Sequence, residues 1–278
     1  MADLLRVENL CKTYPGGGAL RRRMPVLSKV SLQIGRGQTL GLVGESGSGK
    51  STLGRCILGL TRPDSGQVIF DGAEVQGLTG AALQAFRRRV QPVFQDPFGS
   101  LDPRWPVGRS VREALDCFQI GTQANRARRV LDLFDRVGLD PAFASRLPAH
   151  LSGGQRQRVA IAAALASAPD LIISDEPVSA LDMSVQAQIL NLFQDLQDDL
   201  GVAALFISHD LGVVDQVIDL DPVKSNVRHG RLQNCVRFPV WEWPQSGGPY
   251  RDAPGGSGSG PSGPSRQSGP DTSPRPGR

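Results

Sequence analysis

Three short apolar runs dominate the hydrophobic pattern of this chain, within residues 39–43, 170–176 and 202–210. Runs of this length that are apolar at nearly every position are typical of parallel strands buried on both faces. Segments between them have apolar residues at helical spacing, among them residues 123–137. Strands that alternate with helices predict an α/β fold with a mainly parallel sheet.

A second group of strands is expected outside this parallel sheet. Residues 4–14, 28–34 and 66–72 have strand-like patterns and are bounded by glycine-rich or proline-containing turns. Two of these segments precede the first apolar run with only a loop between them. We therefore expect a small antiparallel β subdomain beside the parallel sheet.

A helical insertion is predicted between the first and second apolar runs. Residues 109–118 and 123–137 read as amphipathic helices, and Pro141 and Pro148 interrupt the chain after the second of them. Residues 98–150 therefore form a largely helical segment inserted into the α/β domain.

The end of the chain differs in composition from the rest. Of the 34 residues from 245 to 278, 23 are Gly, Pro or Ser, and residues 219–278 have no visible hydrophobic period. Such a composition cannot bury enough apolar surface to order a chain, so we expect residues 245–278 to be disordered.

Charge and cysteine content exclude several classes of protein. The formal net charge of +4 over 278 residues is mild and does not indicate a nucleic-acid partner. The four cysteines form no C-x-x-C pair, which argues against a zinc site or a disulfide framework. No stretch is apolar for long enough to span a membrane, and the first residues do not resemble a signal peptide.

The first apolar run leads into a glycine-rich phosphate loop, G-x-x-x-x-G-K-[ST], at residues 44–51, with a helical pattern after it. Small residues let backbone N–H groups surround a phosphate, and the helix after the loop directs its positive end at the same group. The lysine reaches the β- and γ-phosphates, and the serine hydroxyl can ligate Mg²⁺. The predicted nucleotide-binding residues are Gly44, Glu45, Ser46, Gly47, Ser48, Gly49, Lys50, Ser51 and Thr52.

Two acidic residues end the second apolar run, at Asp175 and Glu176. Mg²⁺ prefers oxygen ligands, so Asp175 is a natural partner for Ser51, and Glu176 could polarise the attacking water. Because the carboxyl ends of parallel strands meet at one edge, Gly44, Asp175 and His209 should line the same ligand-binding edge. The sequence thus predicts a site for ATP and Mg²⁺.

These motifs, in their order, resemble the ATPase subunits of ATP-binding cassette (ABC) transporters. The most discriminating is the signature Leu-Ser-Gly-Gly-Gln, because other phosphate-loop ATPases lack it. The matching residues outside the phosphate loop are Gln95, the signature Leu151, Ser152, Gly153, Gly154 and Gln155, the acids Asp175 and Glu176, the interface loop Ser179, Ala180, Leu181 and Asp182, and His209. The resemblance covers residues 4–215 and implies an ATPase domain at residues 4–218, with its helical subdomain at about 98–165.

The resemblance also implies a role for each motif. Tyr14 looks like the aromatic residue that stacks on adenine, although a tyrosine ending a strand is also common. Gln95 resembles the glutamine that senses Mg²⁺ and the attacking water, and His209 the histidine that contacts the γ-phosphate. Glu176, His209 and Gln95 are thus the catalytic residues, and Ser51, Gln95 and Asp175 the Mg²⁺ residues. In this family the signature completes the ATP site of the opposite subunit, so that ATP itself closes the dimer.

Residues 94–104 and 175–182 resemble the ATPases of oligopeptide, dipeptide and nickel importers. The subfamily implies a second ATPase subunit of a different kind, two transmembrane permease subunits and an extracytoplasmic substrate-binding protein. It places the protein peripherally at the cytoplasmic face of the inner membrane.

Two other functions stay open at this point. A soluble cassette ATPase of DNA repair or translation usually has two cassettes, long coiled coils or zinc pairs, none of which is visible here. The second alternative is an inactive subunit that does not hydrolyse ATP. Against it stand the intact motif residues Lys50, Asp175, Glu176 and His209.

Residues 219–278 depart from the resemblance, because related subunits continue through a further strand, a hairpin and a characteristic tail. One explanation is a shifted reading frame near Asp219, and the other is a genuine disordered tail. The sequence alone does not decide between them.

Overall fold

The computed structural model describes residues 3–16, 23–217 and 235–237. All of them belong to one compact unit, Met1–Trp241, and the second unit, Glu242–Arg278, falls outside the described residues. The predictions of a shifted frame and of a disordered end therefore lie outside the described residues, apart from 235–237.

The described residues form nine strands and eight α-helices. The strands are β1 (Asp3–Pro15), β2 (Arg23–Gly35), β3 (Thr39–Val43), β4 (Ser65–Phe70), β5 (Ala73–Glu74), β6 (Val90–Val93), β7 (Leu171–Asp175), β8 (Ala203–Ser208) and β9 (Cys235–Arg237). The helices are α1 (Lys50–Ile57), α2 (Gly80–Arg89), α3 (Pro97–Ser100), α4 (Val107–Cys117), α5 (Gln123–Arg136), α6 (Gly153–Ala166), α7 (Met183–Leu200) and α8 (Leu211–Val217).

The five-stranded sheet is parallel and has the order β6-β7-β8-β3-β9. Its register pairs Val43 with Ser208 and Asp175 with Ile207. The carboxyl ends of the three apolar strands are therefore level with one another, which is the edge where such sheets bind ligands.

The four-stranded sheet is antiparallel and has the order β2-β1-β4-β5. The α/β fold class with a parallel sheet and a small antiparallel sheet is confirmed. Strands β1 and β2 are each 13 residues long, which is longer than the segments predicted from the alternation of apolar and polar residues. Register shifts between the two strands interrupt that alternation, so the pattern did not reveal their full length.

Two buried apolar clusters cover the two faces of the parallel sheet. In β7, Leu171 and Ile173 pack with the antiparallel sheet and α1, whereas Ile172 packs with α4 to α7 on the other side. Strand β8 divides in the same way, with Leu205 and Phe206 in different clusters. This alternation explains why the strands are apolar at nearly every position.

The residues between β6 and β7 are mainly helical and contain α3 to α6. Helix α6 begins inside the signature and runs back to the strand that carries Asp175. The helical region is thereby connected directly to the ligand-binding edge.

The strand β9 is an element that the hydrophobic pattern did not predict. It pairs with β3 in parallel, with Leu42 opposite Val236. Three residues are too few to show a period, so this strand had no detectable signal. No helix among the described residues is long and apolar enough to cross a membrane.

Candidate functional site

The phosphate loop joins β3 to α1 and depends on two glycines in the left-handed region of φ. Gly47 has φ +82° and faces open space, whereas Gly49 has φ +101° and lies against β2. A Cβ atom on Gly49 would be 2.7 Å from the carbonyl oxygen of Val26, so only glycine fits there. The loop closes with a hydrogen bond of 3.2 Å from the Ser48 N–H to the Glu45 carbonyl.

Lys50 is the first residue of α1 and only 4% exposed. Its ammonium group donates to the carbonyls of Gly44 and Glu45, at 2.6 and 2.7 Å, and so lies inside the loop. Burial lowers the pKa of Lys50, and the nearby carboxylates of Glu176 and Asp175 oppose this effect. A buried cation encircled by a glycine loop is suited to binding a polyphosphate.

Ser51 and Asp175 meet across the edge of the sheet. The Ser51 hydroxyl donates to the Asp175 carboxylate at 3.0 Å, although the residues are 124 positions apart in sequence. Burial raises the pKa of Asp175, and the hydrogen bond from Ser51 acts against that rise. Two adjacent hard oxygen atoms beside a phosphate loop match the ligands that Mg²⁺ prefers.

Glu176 leaves β7 with a φ of +48°, a conformation that costs a non-glycine residue roughly 1–2 kcal/mol. Its N–H donates to the carbonyl of Ile207 at 2.9 Å, which fixes it beside β8. The Glu176 carboxylate is 3.2 Å from Nδ1 of His209, and the two side chains are 15% and 54% exposed. The strained backbone thus directs the carboxylate toward the histidine that comes after β8.

The signature forms the N-terminus of α6 and has a complete capping box. The Gln155 N–H donates to the Ser152 hydroxyl at 3.3 Å, and the Ser152 N–H donates to Oε1 of Gln155 at 2.9 Å. The capping box thus satisfies the N–H groups of Ser152 and Gln155 and fixes the first turn of α6. Such a helix N-terminus favours an anion.

The signature packs tightly on the interface loop at residues 179–182 and on the start of α7. A Cβ atom on Gly153 would be 3.2 Å from Leu181, and one on Gly154 would be 2.5 Å from Cγ1 of Val185. Asp182 caps α7 by accepting from the Val185 N–H at 3.0 Å. The two glycines therefore set how closely the signature approaches α7.

Tyr14 lies near the end of β1, opposite Met24 of β2, and the residue is 36% exposed. The same strand β2 contacts Gly49 two residues further on, at Val26. Tyr14 therefore pairs with the strand that contacts the phosphate loop.

Gln95 is exposed and lies just after β6, whose last residue, Val93, pairs with Ser174 of β7. It thus lies at the same edge of the sheet as Asp175. The neighbouring Phe94 lines a groove of about 430 Å³ between the core and the helical region. Exposed Leu60 and the small side chain of Ala163 also line this groove.

The predicted site residues fall into two groups in this chain. The first group lies at the edge of the parallel sheet. It contains Glu45, Ser46 and Thr52 of the phosphate loop region, together with Asp175, Glu176 and His209. The signature and the interface loop form a second group, centred on the first turns of α6 and α7.

One residue that holds the interface loop was not predicted from the sequence. The amide of Gln186 donates to the carbonyls of Val178 and Leu181, at 3.1 and 2.9 Å. Its only signal in the sequence is an amide side chain in the first helical turns after Asp182, which is too common a pattern to be noticed.

Comparisons with known proteins agree with this geometry. Residues 27–179 match the family model described as "ABC transporter". A Brucella ovis protein, provisionally named as a peptide import ATP-binding protein, is 49% identical over 216 residues, which is 78% of this chain and 67% of that protein. The glutathione import ATP-binding protein GsiA of Escherichia coli strain K12 is 49% identical over 77% of this chain and 35% of its own length.

Solved structures give the same result. A dimeric ATP-binding cassette in a post-hydrolysis state, bound to ADP and Pi, is 33% identical and has a TM-score of 0.69, with 76% of this chain and 90% of that chain covered. The cassette CbiO1 of Clostridium perfringens is 28% identical, with a TM-score of 0.67 over 78% of this chain and 82% of its own.

The chain belongs to the ABC transporter family. It is an ATP-binding cassette ATPase, with a phosphate-loop fold in which a helical region carries the family signature.

Proposed function

We propose that this chain is the ATP-hydrolysing subunit of an ABC importer that takes up peptides through a membrane permease. The observation that supports this most directly is the edge of the parallel sheet, where Lys50, the Ser51–Asp175 pair and the Glu176–His209 pair converge. The names of the relatives, which refer to peptide and glutathione import, supply the substrate class.

Each residue of this edge has a role in hydrolysis. Lys50 and the loop N–H groups bind the β- and γ-phosphates, and Ser51, Asp175 and Gln95 hold Mg²⁺. When bound, Mg²⁺ neutralises charge on the phosphate oxygens. Glu176 accepts a proton from the attacking water, and His209 orients Glu176 and contacts the γ-phosphate.

The phosphate loop joins β3 to α1, whereas the signature begins α6 in the helical region. The signature serves the nucleotide of a second ATPase subunit, through Leu151, Ser152, Gly153, Gly154 and Gln155, while residues 179–182 cross the interface. The partner is a different paralogue, as in the oligopeptide importers that residues 94–104 resemble. Loss of the γ-phosphate contacts then opens the dimer.

The groove beside Gln95 receives the permease. Leu60 and Phe94 are 57% and 39% exposed, so apolar surface is available at its rim. Gln95 directly follows Phe94 and lies level with Asp175, so a permease segment in the groove is joined to the hydrolytic site by one short loop. Residues 4–218 form the ATPase domain, with about 98–165 as its helical subdomain, at the cytoplasmic face of the inner membrane.

The test is uptake by cells from which this chain has been deleted. Labelled trialanine, glutathione and Ni²⁺ are supplied in parallel, and the deletion is complemented with wild type or with Glu176→Gln. We expect the deletion to abolish peptide uptake. Wild type should restore uptake, and Glu176→Gln should not. Loss of Ni²⁺ uptake alone would assign a nickel importer, and unchanged uptake of all three would contradict an importer role.

A further inference from the structure

Asp64 lies just before β4 and binds the end of β1 with its side chain. Its Oδ2 accepts from both the N–H and the hydroxyl of Thr13, each at 2.7 Å, and its Oδ1 accepts from the ammonium group of Lys12 at 3.1 Å. Its own N–H donates to the carbonyl of Cys11 at 2.9 Å. One residue thus contacts three consecutive positions of β1, directly before Tyr14.

These contacts replace a missing part of the β ladder. The pairing of β1 with β4 ends at Cys11 opposite Ser65. On the other side, β1 shifts register between Lys12 and Thr13, and Thr13 stands opposite Pro25, which has no N–H to donate. Without Asp64 this stretch would have little to hold it, because an irregular ladder leaves backbone groups without their usual partners.

Lys12 connects the same carboxylate to the tyrosine ring. Its ammonium group donates to the Arg62 carbonyl at 2.7 Å and lies 5.6 Å from the centroid of Tyr14. This separation is within the range of a cation–π contact. With a side chain 16% exposed, Lys12 supports the ring from within the protein, whereas Tyr14 itself is 36% exposed.

We propose that Asp64 is a positioning residue for the nucleotide base: through Thr13 and Lys12 it holds Tyr14 in the orientation that adenine stacks on. This inference rests on the proposed function, together with the role that the family resemblance implies for Tyr14, which is to stack on adenine. Asp64 itself does not touch the nucleotide.

The test compares two ligands that share the phosphates and differ in the base. Affinities of the full chain for ATP and for inorganic triphosphate are measured by calorimetry without Mg²⁺, for wild type, Asp64→Ala, Tyr14→Ala and the double variant. Base–aromatic stacking contributes to nucleotide affinity, so Tyr14→Ala should weaken ATP binding about tenfold. We expect Asp64→Ala to weaken ATP binding about fivefold and to leave triphosphate affinity unchanged. The double variant should bind ATP no more weakly than Tyr14→Ala alone.

Asp116→Ala is the matched control, because Asp116 is also an ion-paired aspartate, 2.8 Å from Arg126 in the helical region. If Asp64→Ala does not fold, Asp64→Asn takes its place, and we expect it to lower ATP affinity by a smaller factor. Equal loss of ATP and triphosphate affinity, or additive losses in the double variant, would overturn the proposal. If Tyr14→Ala leaves ATP affinity unchanged, Tyr14 does not stack on the base, and the role of Asp64 is lost with it, whereas ATP hydrolysis by this chain stays untouched by that result.

Discussion

The hydroxyl of Ser51 donates a hydrogen bond of 3.0 Å to the carboxylate of Asp175, which joins the phosphate loop to the end of β7. The contact places the two oxygen atoms that we propose as ligands for Mg²⁺ next to each other. It does so at a cost, because burial raises the pKa of Asp175 and thus disfavours its charged form.

Replacing Asp175 by Asn should therefore stabilise the fold and abolish hydrolysis. The folded state binds the Asp175 proton more tightly than the unfolded state does, so wild-type stability falls as pH rises from about 3.8 through the raised pKa. Asp175→Asn has no carboxyl proton to release, so it does not lose stability in this way as pH rises. Its melting temperature at pH 7 should therefore exceed that of wild type. Without the carboxylate ligand, Mg²⁺-dependent phosphate release should drop by more than about 100-fold.

Calorimetric melting at pH 4 and pH 7, together with a phosphate-release assay, checks this prediction. The gap in melting temperature between variant and wild type should widen at pH 7. A variant that melts lower than wild type at pH 7 would mean that the Asp175 charge stabilises the fold.

The capping box of the signature should matter more for dimerisation than for folding. Ser152→Ala removes the cap of α6 and should cost about 1 kcal/mol in free energy of unfolding. Thr122→Ala is the matched control, because Thr122 caps α5 by accepting from the Asn125 N–H at 3.3 Å. Light scattering with ATP should show weaker dimers for Ser152→Ala only, and equal behaviour of the two variants would argue against a signature role.

Gly154 should tolerate no side chain while Val185 is present. A Cβ atom at Gly154 would lie 2.5 Å from Val185 Cγ1, so Gly154→Ala should displace the signature. We expect ATP hydrolysis to fall about tenfold, as overpacking of about 1–3 kcal/mol implies, with ATP affinity of the isolated subunit unchanged. Adding Val185→Ala should restore much of the activity, and Gly77→Ala, where a Cβ meets nothing within 4 Å, should have no effect. If Val185→Ala does not restore hydrolysis, the contact between Gly154 and Val185 is not the cause of the loss in Gly154→Ala.

The groove should be needed for transport and not for hydrolysis. Leu60→Glu puts a charge on the exposed rim and should disrupt permease docking while leaving phosphate release within about twofold of wild type, since Leu60 is outside the nucleotide site. Leu131→Glu is the control, because Leu131 is also exposed, at 44%, but lies on α5 away from the groove. Uptake lost in both variants, or in neither, would contradict the docking assignment.

The parts of the fold that depend on local pattern were predictable from the sequence. The three apolar runs specify the buried strands, and the glycine loop specifies where the first of them ends. The fold class was confirmed for this reason. The roles of the individual site residues stay predictions until the variants above are measured.

The parts that depend on distant contacts could not be predicted. The side chain of Asp64 continues a ladder that is interrupted at Thr13, and Gln186 holds carbonyls of a loop it does not belong to. The conformation of Glu176 has the same origin, because its positive φ is maintained by Ile207 on the neighbouring strand. Such contacts join residues far apart in sequence and leave no period along the chain.

We propose that Glu176 is the base of an ATP site completed by a second subunit. The most direct test of this proposal is the mass of purified Glu176→Gln by light scattering, with and without ATP. We expect a dimer that forms only with ATP, by this chain alone or with its paralogous ATPase subunit, and that persists because hydrolysis is blocked. A persistent monomer in the presence of ATP and of that paralogue would contradict it.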